Sequence, residues 1–392
     1  MSDFVKVKKL TSATGGTVNF PNGINIAGSD SGITGTKHTV SANEPSLPAN
    51  GDTWYDSSKS IYYVRMDNAW KNWLGTIPVF YPYGDRGMAV GGGWPRVNVL
   101  QYFDITTTGN SADFGDLGVA TDKATAASNG IRGLKLGGAV TSGSSSVHTQ
   151  DISYWAFATL GNSSTFGNLL AIPGSYKNAA VSNGTRAVVG GGDYQIAAGS
   201  GNAYSNIMQY VTIDTTGDAQ DFGDLTKNVN NCHSTSNQTR GLFALGQAEV
   251  PGGTTYEINI DYITIDTTGN AQDFGDLDKA TRSSGNGIIS NGTTGIFMGG
   301  VRFSASYTNI IQSITIDTLG NGSDFGDLLA GVAYGAQTGN GTRGVHMGGY
   351  NPSSYAQNGM EYITIATPGN STDFGDLLST NDRPAGTSGN AS

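Results

Sequence analysis

Short runs of alternating apolar and polar residues follow one another from Tyr83 onward. "QYVTIDTTG" (209–217) and "DYITIDTTG" (261–269) put Val211 and Ile213, or Ile263 and Ile265, on one face and polar residues on the other. Four to six such residues, bounded by Gly, Asn, Asp, Ser and Thr, predict a β-strand that buries one face and turns tightly at its end. No stretch places apolar residues at helical spacing, so the pattern predicts an all-β chain.

The strands recur as a unit. "DFGDL" starts at 113, 221, 273, 324 and 373, with a worn copy, "TFGNL", at 165. The copies stand about fifty residues apart. A second phrase ends in a double glycine: "RGMAVGGG" (86–93), "RGLKLGGA" (132–139), "RAVVGGGD" (186–193), "RGLFALGQ" (240–247), "TGIFMGGV" (294–301) and "RGVHMGGY" (343–350). "SNGTR" or a relative separates the units, as at Ser182–Arg186. A period near fifty with four strand signals per unit predicts a β-propeller of six blades. One blade cannot bury both faces of its sheet, whereas a closed ring of blades can. The first unit, "GDRGMAVGGG", lacks the strand that precedes the double-glycine strand in the others, and "DRPAGTSGNAS" (382–392) is that strand without its sequel. The tail is therefore expected to pair beside Arg86–Gly93 and to close the ring.

Composition fits this reading. Glycine supplies 59 of 392 residues and charged residues only 13%, a mix that favours turns and strands over helices. The net charge of −10 argues against a nucleic-acid partner, which calls for a basic surface. One cysteine, Cys232, leaves no internal disulfide framework and no Cys-rich zinc site. "MSDFVKVKKLTSATGG" reads as lacking the apolar segment of a secretory signal, and no apolar run is long enough to predict membrane insertion.

Residues 1–83 do not repeat. "GDTWYDSSKSIYYVRMDNAWKNWLG" (51–75) predicts a hairpin of "TWYD" and "IYYVRM" turning at "SSKS", then a second turn at "DNAW". It resembles a module common in structural proteins of tailed bacteriophages, "GDxWYD", a turn, "YYV" and "AW", carried here by Gly51, Asp52, Trp54, Tyr55, Asp56, Tyr62, Tyr63, Val64, Ala69 and Trp70. Upstream, "GGTVNFPNGINIAG" (15–28) alternates in the same sense around a Pro-Asn-Gly turn. The resemblance implies a virion protein, such as a tail fibre or capsid appendage. Residues 1–83 would then be a β module attaching it to other virion proteins, in an assembly compatible with a trimer.

The repeats at 84–392 are similar to the kelch family of propellers. Gly92–Gly93, Gly137–Gly138, Gly191–Gly192, Gly299–Gly300 and Gly348–Gly349 match that family's double glycine, and Gly246–Gln247 departs from it. Tyr102, Tyr154, Tyr210, Tyr262 and Tyr362 match the tyrosine of the next strand, and Ser313 does not. The family's closing tryptophan is replaced by Phe114, Phe166, Phe222, Phe274, Phe325 and Phe374, which are expected to pack between blades as structural repeat residues.

Catalytic readings are weak. "DFG" matches a kinase metal motif, but the other kinase motifs are missing and a six-fold catalytic motif makes no mechanical sense. Asp266, Asp273 and Asp276 are too sparse for a calcium loop and suit turn capping better. Cys232 and His233 are sequence neighbours, which on a strand face opposite sides. No "GxSxG" elbow positions a serine nucleophile. The variable loops after the double glycines are more informative. They carry Trp94, Tyr194, Tyr204, Tyr256, Tyr307, Tyr350 and Tyr355 among Ser, Gly and Asn, the composition of an adaptable recognition surface. The expectation is a six-bladed kelch-like β-propeller with a small N-terminal β module, located in a virion. It would have no enzymatic activity, cofactor or metal, and its rim loops would bind a host-surface glycan or protein. An assembly module contacting only virion proteins, or a glycan-active propeller enzyme, are the alternative readings.

Overall fold

The computed structural model describes residues 38–41, 43, 45, 52–56, 61–66, 69–72 and 84–391, except 94, 144, 171–175, 196–201, 283–286 and 303–305. "GGTVNFPNGINIAG" lies outside the described residues. The chain divides into two compact units, Met1–Val79 and Phe80–Ser392. Every regular element described is a strand.

In the first unit, His38–Ser41 runs parallel to Thr53–Asp56, which pairs antiparallel with Ile61–Met66, itself paired with Ala69–Asn72. Trp54 sits opposite Tyr63 in register, and the rings stack at 4.8 Å. Trp54 is only 5% exposed, so this cross-strand aromatic pair is the heart of the little sheet.

The second unit is a β-propeller. Its sheets, inner strand first, are I (Ala385–Gly389, Arg86–Val90, Val99–Asp104, Ala112–Asp116) and II (Thr125–Ser128, Arg132–Leu136, Asp151–Ala156, Ser164–Asn168). Sheet III holds Ala179–Ser182, Arg186–Gly190, Asn202–Thr212 and Gln220–Asn230, and sheet IV holds His233–Ser236, Arg240–Ala244, Asn259–Thr264 and Gln272–Asp276. Sheet V holds Thr294–Arg302, Ser306–Thr315 and Ser323–Asp327, and sheet VI holds Ala336–Gly339, Arg343–Met347, Gly359–Thr364 and Thr372–Asp376. The chain tail is the inner strand of sheet I, with Ala385 opposite Val90 and Gly389 opposite Arg86.

The expectation of six blades needs correcting. Five sheets are complete four-stranded blades and sheet V has three strands. Its inner stretch reads "SSGNGIIS" where sheets II and III have "TAAS" and "AAVS". Glycine weakens strand pairing, and the described part of this stretch pairs through the bridge between Ser290 and Gly295 and the Ile296 amide donating to Ile289 O (3.0 Å). Sheet III is extended instead: Gln220–Asn230 runs past its "DFGDL" segment to pair, through Val229 and Asn230, with the loop hairpin Gln247–Val250.

Three repeated devices join neighbouring sheets. At the centre, serine hydroxyls donate to the carbonyl of the matching residue one sheet back: Ser236 to Ser182 (2.9 Å), Ser182 to Ser128 (2.8 Å), Ser128 to Ser388 (2.6 Å) and Ser388 to Gly339 (2.6 Å). Further out, apolar clusters fill the space between sheets. Phe222 of sheet III packs with Phe243, Ile263 and Ile265 of sheet IV, and Phe114 of sheet I with Trp155 and Phe157 of sheet II. Phe166, Phe274, Phe325 and Phe374 occupy the same place in their sheets and are buried. Outermost, "FGD" clasps the Gly-Asn turn of the next sheet. The Gly320 amide donates to the Phe274 carbonyl (3.1 Å), and the Asp276 amide to Asn321 Oδ1 (3.0 Å). Gly275, at φ 144°, lies so close that a Cβ there would meet Gly320 O at 2.3 Å. That contact is why the phrase reads Phe-Gly-Asp.

An arginine and a tyrosine finish each complete blade. The guanidinium lies over the ring at 4.9 Å (Arg86–Tyr102), 4.6 Å (Arg132–Tyr154), 4.5 Å (Arg186–Tyr210), 4.8 Å (Arg240–Tyr262) and 4.6 Å (Arg343–Tyr362). Arg132, Arg186, Arg240 and Arg343 also donate to backbone carbonyls of the following sheet. Sheet V has Thr294 and Ser313 at these two positions, Thr294 pairing with Thr315 and Ser313 with Ile296. Arginine and tyrosine are thus absent together.

Cys232 and His233 belong to the core rather than to a site. Both are within 2% of full burial. Burial raises the Cys232 thiol pKa and lowers that of His233 to about 4, with His346 adding to the latter. Replacing Gly275 by Ala should destabilise the fold by roughly 2 kcal/mol or more, because both φ and the neighbouring carbonyl oppose a Cβ. Gly118→Ala, where a Cβ meets nothing within 4 Å, should be nearly neutral in the same thermal melts. An imidazole held at about 4 in the fold and near the ordinary histidine value of 6.5 when unfolded takes up its proton first in the unfolded chain. The stability it lends is therefore full above pH 6.5 and is lost as pH falls towards 4, by about 3 kcal/mol. Urea titrations at stepped pH should show that slope in the wild type and a shallower one in His233→Leu; equal slopes would refute it.

Candidate functional site

The inner strands run from the face carrying the double-glycine loops to the face carrying the "SNG" turns, so everything variable collects on the first face. The double glycines aim these loops. In sheet VI, Gly348 and Gly349 have φ of 64° and 100°, a region glycine enters without strain, and a Cβ on Gly348 would meet Asn381 O at 2.4 Å. Gly246 at φ 60° does the same in sheet IV, while Gln247 is not among the residues at positive φ, so a side chain is tolerated at that departure from the pattern. Beyond the glycines the loops form small hairpins: Ala139–Ser142 with Ser145–His148, Gln247–Val250 with Gly253–Tyr256, and Tyr350–Asn351 with Tyr355–Ala356.

Of the loop aromatics expected to bind, Trp94 lies outside the described residues. Tyr307, Tyr350 and Tyr355 come together from sheets V and VI. Their rings are 5.7 Å apart for Tyr307–Tyr350 and 6.2 Å for Tyr350–Tyr355. Tyr334, at the entry to the inner strand of sheet VI, joins them edge-on to Tyr307 at 6.4 Å. The result is a run of four phenols ending at Tyr355, which is 69% exposed at a hairpin tip with φ 62°. Burial raises the Tyr307 phenol pKa, its neighbours Tyr334 and Tyr350 add to that, and Arg383 and Arg282 oppose it. Tyr256 lies under Arg282 at 5.0 Å, and the Tyr204 amide donates to Glu249 (3.0 Å). Arg282 also tempers the raised Tyr204 phenol pKa, so it stands among Tyr204, Tyr256 and Tyr307. Tyr194 is half-buried in the strand Asp193–Gln195 and makes no ring contact within the group.

Near the ring's centre the same face carries charge that the loop composition does not announce. Arg96 donates to Asp122 (2.5 Å), Thr141 (2.9 Å) and Ser146 (2.6 Å). Lys177 pairs with Asp193 at 2.9 Å, and Arg383 with Asp382. Tyr176 lies between Lys123 (5.1 Å to the ring centre) and Lys177 (4.8 Å), with the His148 ring against it at 3.8 Å. Tyr334, Tyr176, Lys123, Lys177 and Arg383 escape a reading of the loops because they sit in the linker before the inner strand. Their one sequence signal is that this position varies beside invariant strand words. Among the described residues no group of three His, Cys, Asp or Glu side chains could hold a metal ion.

No family model matches the chain, and no curated protein matches it either. A solved structure titled "Structure of YjhT" aligns over 74% of this chain and 97% of its own, at 14% identity and a TM-score of 0.57. At that identity the likeness shows the fold alone, and the fold it shares with this chain is a β-propeller.

Proposed function

We propose that this chain is a structural protein of a tailed-bacteriophage virion, a tail fibre or capsid appendage built on a kelch-like propeller. The propeller would bind a host-surface glycan or protein through its loop face, without making or breaking bonds. The unit within residues 1–83 would attach it to other virion proteins, and the "GDxWYD" hairpin carries that part of the reading. The observation that supports ligand binding best is the phenol run Tyr334–Tyr307–Tyr350–Tyr355, gathered from two sheets on the face where repeats diverge. Tyrosines combine flat apolar area, a hydrogen-bonding tip and few rotamers to freeze, which suits recognition of an amphipathic partner such as a sugar ring. The scaffold supports it independently, since the apolar clusters, the serine bonds and the clasps of the Gly-Asn turns are built from strand and turn words that repeat, while the loop words vary.

Tyr350→Ser with Tyr355→Ser should leave the melting temperature within a few degrees, as these residues lie outside the inter-sheet clusters. It should reduce adsorption of particles carrying the chain at least tenfold. Adsorption unchanged in folded variant particles would refute the role of this face, and failure to find the chain in purified particles would refute the virion assignment.

A further inference from the structure

Each inner strand is entered through a residue two positions ahead of it: Arg383 for sheet I, Lys123 for II, Lys177 for III, Asn231 for IV and Tyr334 for VI. All five are left-handed, with φ of 58°, 55°, 58°, 53° and 64°. For sheet V this stretch of the chain lies outside the described residues. The backbones of these residues bond to one another around the axis. The Arg383 amide donates to Tyr334 O (2.8 Å), Lys123 to Arg383 O (3.2 Å), Lys177 to Lys123 O (3.0 Å) and Asn231 to Lys177 O (2.9 Å). The result is a hydrogen-bonded collar at the centre of the loop face.

This collar goes against the habit of the chain. A left-handed residue with a Cβ costs on the order of 1 kcal/mol. Elsewhere the described residues meet positive φ with glycine, and Tyr355 is the one other non-glycine there. At the collar the chain keeps a lysine, a second lysine, an arginine, a tyrosine and an asparagine. The backbone would accept glycine, so what is being kept is the side chains.

Three neighbours in the collar are cations. The Arg383, Lys123 and Lys177 side chains are 25%, 19% and 22% exposed, open enough to reach a solute yet partly desolvated. With Arg96 they make four cations against three carboxylates, Asp122, Asp193 and Asp382. Each carboxylate takes one cation of the group through one oxygen, while Asp122 Oδ2 and Asp382 Oδ1 accept no hydrogen bond from a described residue. Asp122 already takes Arg96 at 2.5 Å, and Asp193 takes Lys177 at 2.9 Å and also Asn230. The Lys123 ammonium is 3.7 Å from Asp122, too far for a hydrogen bond, and makes none to a described residue. Its pKa is lowered by burial first, then by Arg383, Lys177 and Arg96 against the pull of Asp122. In a chain of net charge −10, the four cations here outnumber the three carboxylates by one, and Lys123 is the cation that donates no hydrogen bond to a described carboxylate.

We propose that the collar is an anion subsite, in which Lys123, Lys177 and Arg383 hold the carboxylate of an acidic saccharide whose ring lies against Tyr334. This rests on the reading of the loop face as a ligand surface and names its ligand as an acidic glycan. A carboxylate set among three cations gains charge-assisted hydrogen bonds and removes their mutual repulsion. The phenol beside it supplies the flat apolar surface that a sugar face prefers.

The test uses the full chain and calorimetric titration with sodium glucuronate, glucose, sodium sulfate and sodium phosphate at constant ionic strength. Lys123→Gly with Lys177→Gly removes the charge and the backbone strain together. In variant protein that still melts cooperatively it should weaken glucuronate binding at least tenfold, and Lys123→Arg with Lys177→Arg should retain binding. Glucuronate binding that survives the double glycine variant, or no binding of glucuronate to the wild type, would overturn the subsite. Sulfate and phosphate bound as tightly as glucuronate would overturn the saccharide part. Particle adsorption separates the two readings: if the double glycine variant adsorbs normally while Tyr350→Ser with Tyr355→Ser does not, the collar falls and the loop face stands.

Discussion

The close approach of each sheet to the turn of its neighbour is the contact on which the propeller depends. A four-stranded sheet with two apolar faces has no stable existence in water, so each blade must be covered on both sides. The cover fits because the outer strand carries glycine where it meets the next Gly-Asn turn. Backbone can then bond to backbone while the adjacent phenylalanine fills the cleft. A side chain at Gly275 or Gly223 would hold the sheets apart and open the apolar seam behind it. At the axis the serine hydroxyls repeat the logic, satisfying carbonyls on inner strands that have no further strand to pair with.

Sheet V shows how far the repeat can degrade. Among the described residues it has three named strands and neither the arginine nor the tyrosine, yet it keeps Phe325 and the clasp through Gly326. The arginine–tyrosine pair therefore finishes a blade, whereas the phenylalanine and glycine make one. The joint loss of Arg and Tyr has a simple cause. A guanidinium without its ring would lose its stacking surface, and a ring without its guanidinium would expose a face to water.

Function and scaffold occupy opposite faces. The turn face is spent on Asn, Arg and Gly contacts between sheets, and it repeats because each sheet needs the same neighbour. The collar of the loop face joins sheets through backbone atoms, which leaves its side chains free to differ, and there the phenols and the cations gather.

Much of the scaffold is readable from the sequence. Alternation at period two gives strands, the recurrence of "DFGDL" and the double glycine gives repeated sheets, and the spare strand in the tail identifies the partner of Arg86–Val90. These are local or periodic features, and a sequence records them directly. The strength of sheet V is not readable, because the pairing of its inner stretch depends on what its neighbours tolerate. Nor is the site. Tyr307 and Tyr350 are recognisable as loop tyrosines, but their meeting with Tyr334, and the closure of Arg383, Lys123 and Lys177 into one collar, join residues up to 260 positions apart. Ring closure brings the tail beside the first repeats, and distance along the chain then ceases to say which charges are neighbours.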